Sequence, residues 1–237
     1  FYYDREAFLT QSPQLYKEQL TMAFENVFEI GPIFRAEPSR TNRHLSEATS
    51  IDIEKAYADY NDIMNILEKM IHFLWGEVKN KNKSHLDYLK IELPDLSLPF
   101  RRYTYSDLIE KMQKSGESIE WGDDISQQKL RNLNDDDMKY FYFIIDWPTS
   151  IKPFYVKPKS IGTERESFDL MYANLELSSG STRIHDKSEL TQRMKKQGLN
   201  IGAFDFHLKV FDYGMPPHAG FGMGLERLMM SICGVEN

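Results

Sequence analysis

The sequence is short of cysteine. Cys233 is the only one in 237 residues, so no disulfide can form within the chain, which fits a reducing compartment. The sequence also lacks an apolar run of membrane-spanning length and a recognisable signal peptide. We therefore expect a cytoplasmic protein with no membrane partner.

Positive charge is scarce as well. Lysine and arginine number 29 against 36 aspartates and glutamates, which gives a net charge of -7. A chain of this charge is a poor non-specific ligand for nucleic acid, although a local basic patch stays open. The hydrophobic fraction of 41% and the charged fraction of 27% are typical of a globular protein.

What the chain does contain is a series of strand patterns with helix patterns between and after them. Strand-like residues occur at 1–8, 27–37, 51–57, 140–146, 154–157, 168–172 and 175–177. Helical periodicity or caps occur from 13 onward and at 63–74, 106–116 and 186–198. Strand and helix do not alternate strictly, and no glycine-rich loop directly follows a first strand. The order predicts an α+β fold, mainly an antiparallel sheet flanked by helices.

The middle of the chain, about residues 83–139, reads as a small insertion on the main sheet. Ser106 is predicted to cap a short helix, and residues 118–139 are acidic and turn-rich. Nothing in this section looks catalytic. The chain begins at Phe1 instead of methionine, which predicts that it is a segment of a longer protein.

A glycine-rich stretch near the end of the chain is the first candidate site. Residues 214–228 hold four glycines and two adjacent prolines, and they lead into a helix pattern. Dense glycine either lets a group approach the backbone closely or supplies positive φ. Arg227 lies off the apolar stripe of that helix, where it could hold something negative or flat. The alternative is an ordinary surface loop with an exposed arginine.

The predicted first helix supplies a second candidate. Pro13 suits the first turn of a helix with Ser12 as its N-cap. Gln14 and Lys17 are three apart and share a helical face, where an amide and an ammonium could grip a small zwitterion or acid. The alternative is a solvent-exposed turn.

The predicted hairpin that follows carries charges of both signs. Arg35 and Glu37 would share one strand face, and Asp52 and Glu54 would share one face of the partner strand. The connecting loop adds further cations, namely Arg40, Arg43 and His44. Such a hairpin suits an anion and an amine bound together, although a polar strand face is also compatible with simple solvation.

A third candidate combines carboxylates and hydroxyls. Asp169 and Glu176 lie on adjacent predicted strands, and Ser179 follows Glu176 in what reads as an exposed turn. Hard oxygen ligands of this kind suit magnesium, which usually also keeps waters and phosphate oxygens. The alternative is an exposed turn with an incidental acid.

These motifs together resemble a known family, the class II aminoacyl-tRNA synthetases. Residues 34–37 (FRAE) with 43–47 (RHLSE) resemble motif 2 of that family, and residues 220–228 (GFGMGLERL) resemble motif 3. Residues 11–17 (QSPQLYK) and 213–218 (YGMPPH) are similar to the aspartyl branch of the aspartate, asparagine and lysine subclass, in its archaeal form. The similarity extends over nearly the whole of residues 1–237.

The resemblance implies a role for each motif residue in the activation of aspartate by ATP. Catalytic roles fall to Arg35, at the α-phosphate and the aspartate carboxylate, and to Arg227, at the terminal phosphates and the adenine ring. The remaining implied contacts are Glu37 for the adenine amino group, Arg43 and His44 for the β- and γ-phosphates, Glu176 and Ser179 for Mg²⁺ with Asp169 nearby, Ser12, Gln14 and Asp52 for the α-amino group, and Lys17 and Arg183 for the aspartate side chain.

The resemblance also implies partners and leaves alternatives. Aspartyl-adenylate would pass to the 3′ end of tRNA(Asp), with tRNA(Asn) open as a second acceptor, and the enzyme would be a homodimer. Motif 1 and the anticodon-binding domain are expected before Phe1, and Ala48 stands where bacterial and eukaryotic relatives place an aromatic residue. One alternative is a paralogue similar to asparagine synthetase, which would give aspartyl-adenylate to ammonia. The other is a non-catalytic synthetase-like binding module.

Overall fold

The computed structural model describes residues 3–4, 6–36, 45–133, 135–160 and 164–235. Strands in this part are β1 Asn26–Phe34, β2 Glu47–Ala56, β3 Arg101–Thr104, β4 Phe141–Ile145, β5 Ser167–Tyr172, β6 Leu175–Thr182 and β7 His218–Gly224. The α-helices are α1 Gln14–Phe24, α2 Tyr60–Lys81, α3 Lys83–Leu89, α4 Tyr105–Lys114, α5 Gln127–Asn132, α6 Lys187–Lys196, α7 Asp205–Leu208 and α8 Leu225–Cys233. Short 3₁₀ turns occupy Asp136–Met138, Ile201–Phe204 and Val210–Tyr213.

The strands form one sheet in the order β1-β2-β7-β6-β5-β4-β3. Every neighbouring pair is antiparallel except β3 and β4, which run parallel. The predicted α+β class with a mainly antiparallel sheet is confirmed. Placing β7 between β2 and β6 is the step that brings distant sequence motifs together.

One face of this sheet is covered by α2. The helix begins at a capping box, in which Asp59 and Asp62 satisfy each other's backbone N–H groups. Its buried residues pack against apolar side chains of β4, β5 and β7, including Phe143, Phe168 and Phe221. On the opposite face, β2, β6 and β7 carry buried or half-buried polar residues, and α1 packs beside β1 and β2. No helix in the described part of the chain is long and apolar enough to cross a membrane.

The section at about 83–139 packs in two places: Leu86, Leu93 and Phe100 join the core under α2, and the later residues join a second apolar cluster. Its α4 and α5 bury apolar residues together with Tyr142, Trp147 and Met171 of the main sheet region. The section also donates β3 to the sheet edge. Its reading as an insertion stays a prediction.

Several local predictions need correction. Residues 6–10 form no strand, and Tyr3 and Asp4 adopt positive φ values of 47° and 60° that interrupt extended backbone. The N-cap of α4 is Thr104 instead of Ser106, because Thr104 keeps extended backbone and accepts from Asp107 N–H. Residues 118–139 contain the short α5 as well as turns.

Two further corrections concern the site region. Residues 154–157 form only an isolated bridge between Val156 and Arg183 in place of a strand. The serine-rich segment after Glu176 is not an exposed turn, because β6 continues through Thr182 and pairs with both β5 and β7. The helix predicted within 186–198 is confirmed, and Asp186 is its N-cap, since its side chain accepts from Glu189 N–H at 2.7 Å.

Candidate active site

Two polar rows cross the face of the sheet opposite α2. In one row Asp52 pairs with Gly222, which pairs with Ser179, which pairs with Asp169. Residues paired across antiparallel strands share a face, so these side chains point the same way. The register shift at Leu170/Met171, which pairs Met171 with Glu176, puts Glu176 on that face as well. Carboxylates and hydroxyls thus meet on one surface.

The polar rows explain two glycines of the first candidate site, the glycine-rich stretch at residues 214–228. Glu54 pairs with Gly220, and a Cβ added to Gly220 would lie 2.2 Å from Glu54 Oε2 and 2.2 Å from the Ile53 carbonyl oxygen. A Cβ on Gly222 would lie 3.0 Å from Asp52 Oδ1. The predicted close approach is therefore real, but the groups that approach are carboxylates of β2. The stretch is a strand leading into α8, which rules out the surface-loop reading.

A cavity of about 800 Å³ opens on this face. Eight of the sequence-predicted residues line it, namely Ser12, Gln14, Arg35, Asp52, Glu176, Ser179, Arg183 and Arg227. Three others, Glu37, Arg43 and His44, lie outside the described residues. Lys17 is described but does not line the cavity.

Lys17 lies beneath the cavity floor. Its Nζ donates to Asp52 Oδ1 at 2.8 Å and to the Phe221 carbonyl at 2.9 Å, and it lies 3.4 Å from Glu54 Oε2. Only 2% of the residue is exposed. The structure therefore does not support the predicted direct contact of Lys17 with a side-chain carboxylate, because neighbouring carboxylates already hold the ammonium.

Arg183 is buried but reaches the cavity. Its Nε donates to Glu54 Oε1 at 2.9 Å, its Nη2 donates to Glu54 Oε2 at 3.2 Å, and its Nη1 donates to Ser181 Oγ at 2.6 Å. A guanidinium has five N–H groups, so two remain to donate. The face of the guanidinium also lies 5.2 Å from the Tyr155 ring. These contacts hold the cation in one orientation.

The opposite end of the cavity carries Glu176 and Arg227. Arg227, in the first turn of α8, donates from Nη1 to the Glu176 carbonyl at 2.8 Å. Burial and then the negative charge of Asp169 raise the pKa of Glu176 to about 7. Asp169 itself is bound by Lys152 at 2.8 and 2.9 Å.

This end fits a divalent cation in its donor chemistry. Glu176 and Ser179 present oxygen atoms on one face of the sheet, and the Glu176 side chain is 46% exposed, so its carboxylate is open to a ligand. Within the described ranges no group of three or more histidine, cysteine, aspartate or glutamate residues could hold a metal. Any cation bound here would therefore need additional oxygens from water or a ligand.

Arg35 stands at the side of the cavity just after β1. Its Nε donates to the Gln11 carbonyl at 3.2 Å, and the residue is otherwise exposed. The two arginines predicted to be catalytic, Arg35 and Arg227, therefore line the same cavity from different elements. Arg35 follows β1 directly, and its backbone N–H continues the pairing by donating to the Ser46 carbonyl at 2.9 Å. Its shared face with Glu37 stays a prediction, because Glu37 lies outside the described residues.

A buried histidine and glutamate cluster adjoins the amino end of α1. Glu18 Oε2 lies 3.6 Å from Nε2 of His207 and 3.6 Å from Nε2 of His218. Burial would raise the pKa of Glu18, but the neighbouring His218 imidazole and further positive charge lower it to about 2. The pKa of His218 is raised, since Glu18 outweighs the effect of burial. The pKa of His207 is lowered, first by burial.

Sequence reasoning missed three kinds of cavity residue. Lys152 neutralises Asp169 and lies 4.6 Å from the ring of Trp147, and its only sequence signal was a place beside Pro153. Tyr155 covers Arg183 from a segment read as a strand. In α8, helical spacing predicts an apolar stripe of Leu225, Leu228, Met229 and Ile232. Leu228 and Ile232 are buried, but Met229 is 47% exposed and lines the cavity.

Known proteins resemble this chain over its whole length. A relative from Sulfurisphaera tokodaii named aspartate--tRNA(Asp/Asn) ligase is 49% identical over 237 residues, covering 100% of this chain and 55% of the relative. One from Pyrobaculum aerophilum named aspartate--tRNA(Asp) ligase is 46% identical over 241 residues, covering 100% of this chain and 54% of the relative. The chain thus spans about half the length of the curated relatives it matches.

Solved structures give the same picture. Aspartyl tRNA synthetase from Entamoeba histolytica superposes with a TM-score of 0.90 at 34% identity, covering 97% of this chain and 50% of that one. Asparaginyl-tRNA synthetase from Pyrococcus horikoshii, complexed with asparaginyl-adenylate, gives a TM-score of 0.92 at 32% identity, covering 99% of this chain and 55% of that one. The model of the family described as tRNA synthetases class II (D, K and N) matches residues 1–237. The chain belongs to the class II tRNA synthetases.

Proposed function

We propose that this chain carries the active site of an aspartate–tRNA ligase. The enzyme activates L-aspartate with ATP to aspartyl-adenylate and transfers aspartate to the 3′ end of tRNA(Asp). The observation that carries the proposal is one cavity that joins a fixed arginine, Arg183, to a carboxylate, Asp52, with Arg35 and Arg227 also on its lining. Relatives that bear the aspartate ligase name match the whole chain.

The amino acid binds at the end of the cavity that holds Asp52 and Arg183. The two remaining N–H groups of Arg183 donate to the aspartate side-chain carboxylate, a pairing that a neutral amide reproduces only in part. Asp52, Gln14 and Ser12 receive the α-ammonium group. Lys17 contributes by holding Asp52 in place and not by direct contact.

ATP binds toward Arg35 and Arg227. The aspartate α-carboxylate attacks the α-phosphorus in line, the bond to the bridging oxygen breaks, and pyrophosphate leaves. No general base is required, because the carboxylate is already ionised. Arg35 neutralises charge on the α-phosphate, so positioning and electrostatic stabilisation account for the rate. Glu37, Arg43 and His44 complete the ATP contacts in the proposal.

Glu176 and Ser179 hold Mg²⁺ in this proposal, with Asp169 nearby. The ion, when bound, supplies positive charge to the phosphate oxygens. Lys152 neutralises Asp169 beside this site. The proposal also includes a homodimer and a cytoplasmic location, and tRNA(Asn) stays an open second acceptor.

The test is aspartate-dependent ATP–pyrophosphate exchange by the full-length protein and its Arg35→Ala variant. Removing one fixed donor to the phosphate should slow exchange by about 10² to 10³. Near-normal exchange in the variant would remove Arg35 from the mechanism. No exchange in the wild type would leave a non-catalytic binding module. Trapping of the adenylate by ammonia in preference to tRNA would leave the asparagine synthetase-like paralogue.

A further inference from the structure

Gln14 is one of the groups proposed to receive the α-ammonium, and its amide can be oriented in two ways. With the carbonyl oxygen toward the cavity it accepts a hydrogen bond from an ammonium. With the NH₂ group toward the cavity it presents two donors, which repel an ammonium. The two ends of the amide have the same shape, so the orientation must be fixed by a hydrogen-bonding partner in the protein.

Glu18 is the partner that fixes the orientation of the Gln14 amide. Gln14 Nε2 donates to Glu18 Oε1 at 2.5 Å, one helical turn along α1. An ionised carboxylate accepts hydrogen bonds and has none to donate, so the NH₂ end of the amide must face Glu18. The carbonyl oxygen of Gln14 is then left for the cavity, which this side chain lines.

The choice depends on Glu18 staying ionised although it is fully buried. A protonated carboxyl could donate to the Gln14 oxygen and reverse the amide. The second oxygen of Glu18 lies between the Nε2 atoms of His207 and His218, each at 3.6 Å. At this distance neither imidazole hydrogen-bonds to the carboxylate, so a charged imidazole stabilises the ionised form by electrostatic attraction.

The backbone fixes the protonation of His218. Its Nδ1 lies 2.8 Å from the Pro216 carbonyl, which only accepts, so Nδ1 carries a hydrogen. Its Nε2 faces the Glu18 carboxylate, which favours a second hydrogen and hence the imidazolium. The low pKa of Glu18, about 2, agrees with such a partner. The Pro216-Pro217-His218 segment thereby acts on Gln14 through Glu18.

We propose that Glu18 is a positioning residue for amino acid recognition, which turns the Gln14 carbonyl oxygen toward the α-ammonium of the substrate. This inference rests on the proposed function, since it needs an amino acid at that end of the cavity. Glu18 should then contribute to binding of the substrate's α-amino group and not to binding of its carboxylates.

The test compares L-aspartate with succinate, which is aspartate without its α-amino group. Binding of each is measured by calorimetry on the full-length protein and its Glu18→Gln variant. Glutamine at 18 can present either end of its amide to Gln14, so the fixed orientation is lost. We expect aspartate affinity to fall about tenfold, roughly 1.4 kcal/mol, while succinate affinity stays within twofold. The control, Glu25→Gln, changes an exposed acid just beyond α1 and should alter neither.

A second pair of measurements separates positioning from structural damage. In a Gln14→Ala background, Glu18→Gln should have no further effect on aspartate affinity. Glu18→Asp keeps the charge but withdraws it from Gln14, so it should repeat the selective loss and serves if Glu18→Gln does not fold. Equal losses for both ligands, or additive effects in the double variant, would overturn the inference. A wild type that binds neither ligand would instead overturn the proposed function.

Discussion

At the residue scale, the site contains a buried set of two cations and two carboxylates, namely Lys17, Arg183, Asp52 and Glu54. Their ion pairs are 2.8 Å for Lys17 with Asp52 and 2.9 Å for Arg183 with Glu54. Burying a charge costs several kcal/mol unless the charge is paired. Removing one member of the set therefore destabilises the protein by more than the energy of its own ion pair, because its partner stays buried without a counter-charge. Strand alternation predicted that Asp52 and Glu54 share a face. It could not predict that Lys17 would be held by them, because that contact joins residues 35 apart in sequence.

Lys17→Met tests this set. The variant leaves Asp52 and Glu54 short of a cation inside the protein, so we expect a loss of about 3–5 kcal/mol in the free energy of unfolding. Urea denaturation measures it. The control is Lys69→Met on the exposed side of α2, which should change stability by less than about 0.5 kcal/mol. Equal, small effects for both variants would show that Lys17 is not part of a buried ionic set.

The raised pKa of Glu176 gives a second test at this scale. Magnesium needs the carboxylate ionised, and a raised pKa means that protons compete with the ion for Glu176 as pH falls. We expect Mg²⁺ affinity to rise with pH up to about 8 and about one proton to be released on binding at pH 6. Calorimetry in two buffers of different ionisation enthalpy counts that proton. Glu176→Gln should abolish the release, and pH-independent binding by the wild type would contradict the assignment.

At the scale of elements, the glycines of β7 are explained by the side chains of the neighbouring strand β2. Gly220 and Gly222 are extended residues whose missing side chains make room for Glu54 and Asp52. The density of glycine in the sequence indicated a close approach, but not which group approaches, because that depends on the β2–β7 pairing. The same pairing turns a sequence read as a loop before a helix into a central strand.

Gly220→Ala tests this explanation of β7. The new Cβ would lie 2.2 Å from both the Glu54 carboxylate and the Ile53 carbonyl, so the strands must separate. We expect a loss of about 3 kcal/mol or more in unfolding free energy. Gly76→Ala in α2, where a Cβ meets nothing within 4 Å, should instead stabilise by about 0.5–1 kcal/mol. A mild effect at Gly220 in thermal or urea unfolding would contradict the packing.

At the scale of the whole molecule, α1, α7 and β7 meet at Glu18 and its two histidines. The raised pKa of His218 means that its stabilising contribution is complete below its ordinary pKa and is lost as pH rises through the raised value. The lowered pKa of Glu18 means that its contribution is present above its ordinary value of 4.5 and is lost as pH falls toward about 2. The pair therefore stabilises most near pH 5–6.

His218→Gln tests this junction of three elements. We expect the difference in unfolding free energy between wild type and variant to be largest near pH 5.5 and to shrink above neutrality, since the wild type then loses the charge that the variant lacks. The measurement is urea unfolding at a series of pH values between 5 and 9. A difference that stays constant over this range would show that the Glu18–His218 pair carries no linked proton.

What could be predicted from the sequence depends on whether a feature leaves a local pattern or arises from contacts between distant residues. The fold class, the hairpin of β1 and β2, α2, and eight of the residues lining the cavity came from local patterns or from motif resemblance. Lys152 and Tyr155 did not, because their segment, 148–158, has isolated bridges and turns in place of a regular period. The buried partners of Lys17, Glu18 and Arg183 also escaped, since they are set by the strand order and not by spacing.

The central claim is that this cavity selects aspartate. Its most direct test is ATP–pyrophosphate exchange by the full-length protein with L-aspartate or L-asparagine as the sole amino acid. Arg183 offers two N–H donors fixed by Glu54 and Ser181, so a carboxylate should be preferred to an amide by a kcat/KM ratio of at least about 10². Exchange that depends on aspartate at this ratio is the predicted result. Equal exchange with both amino acids, or a preference for asparagine, would contradict the account.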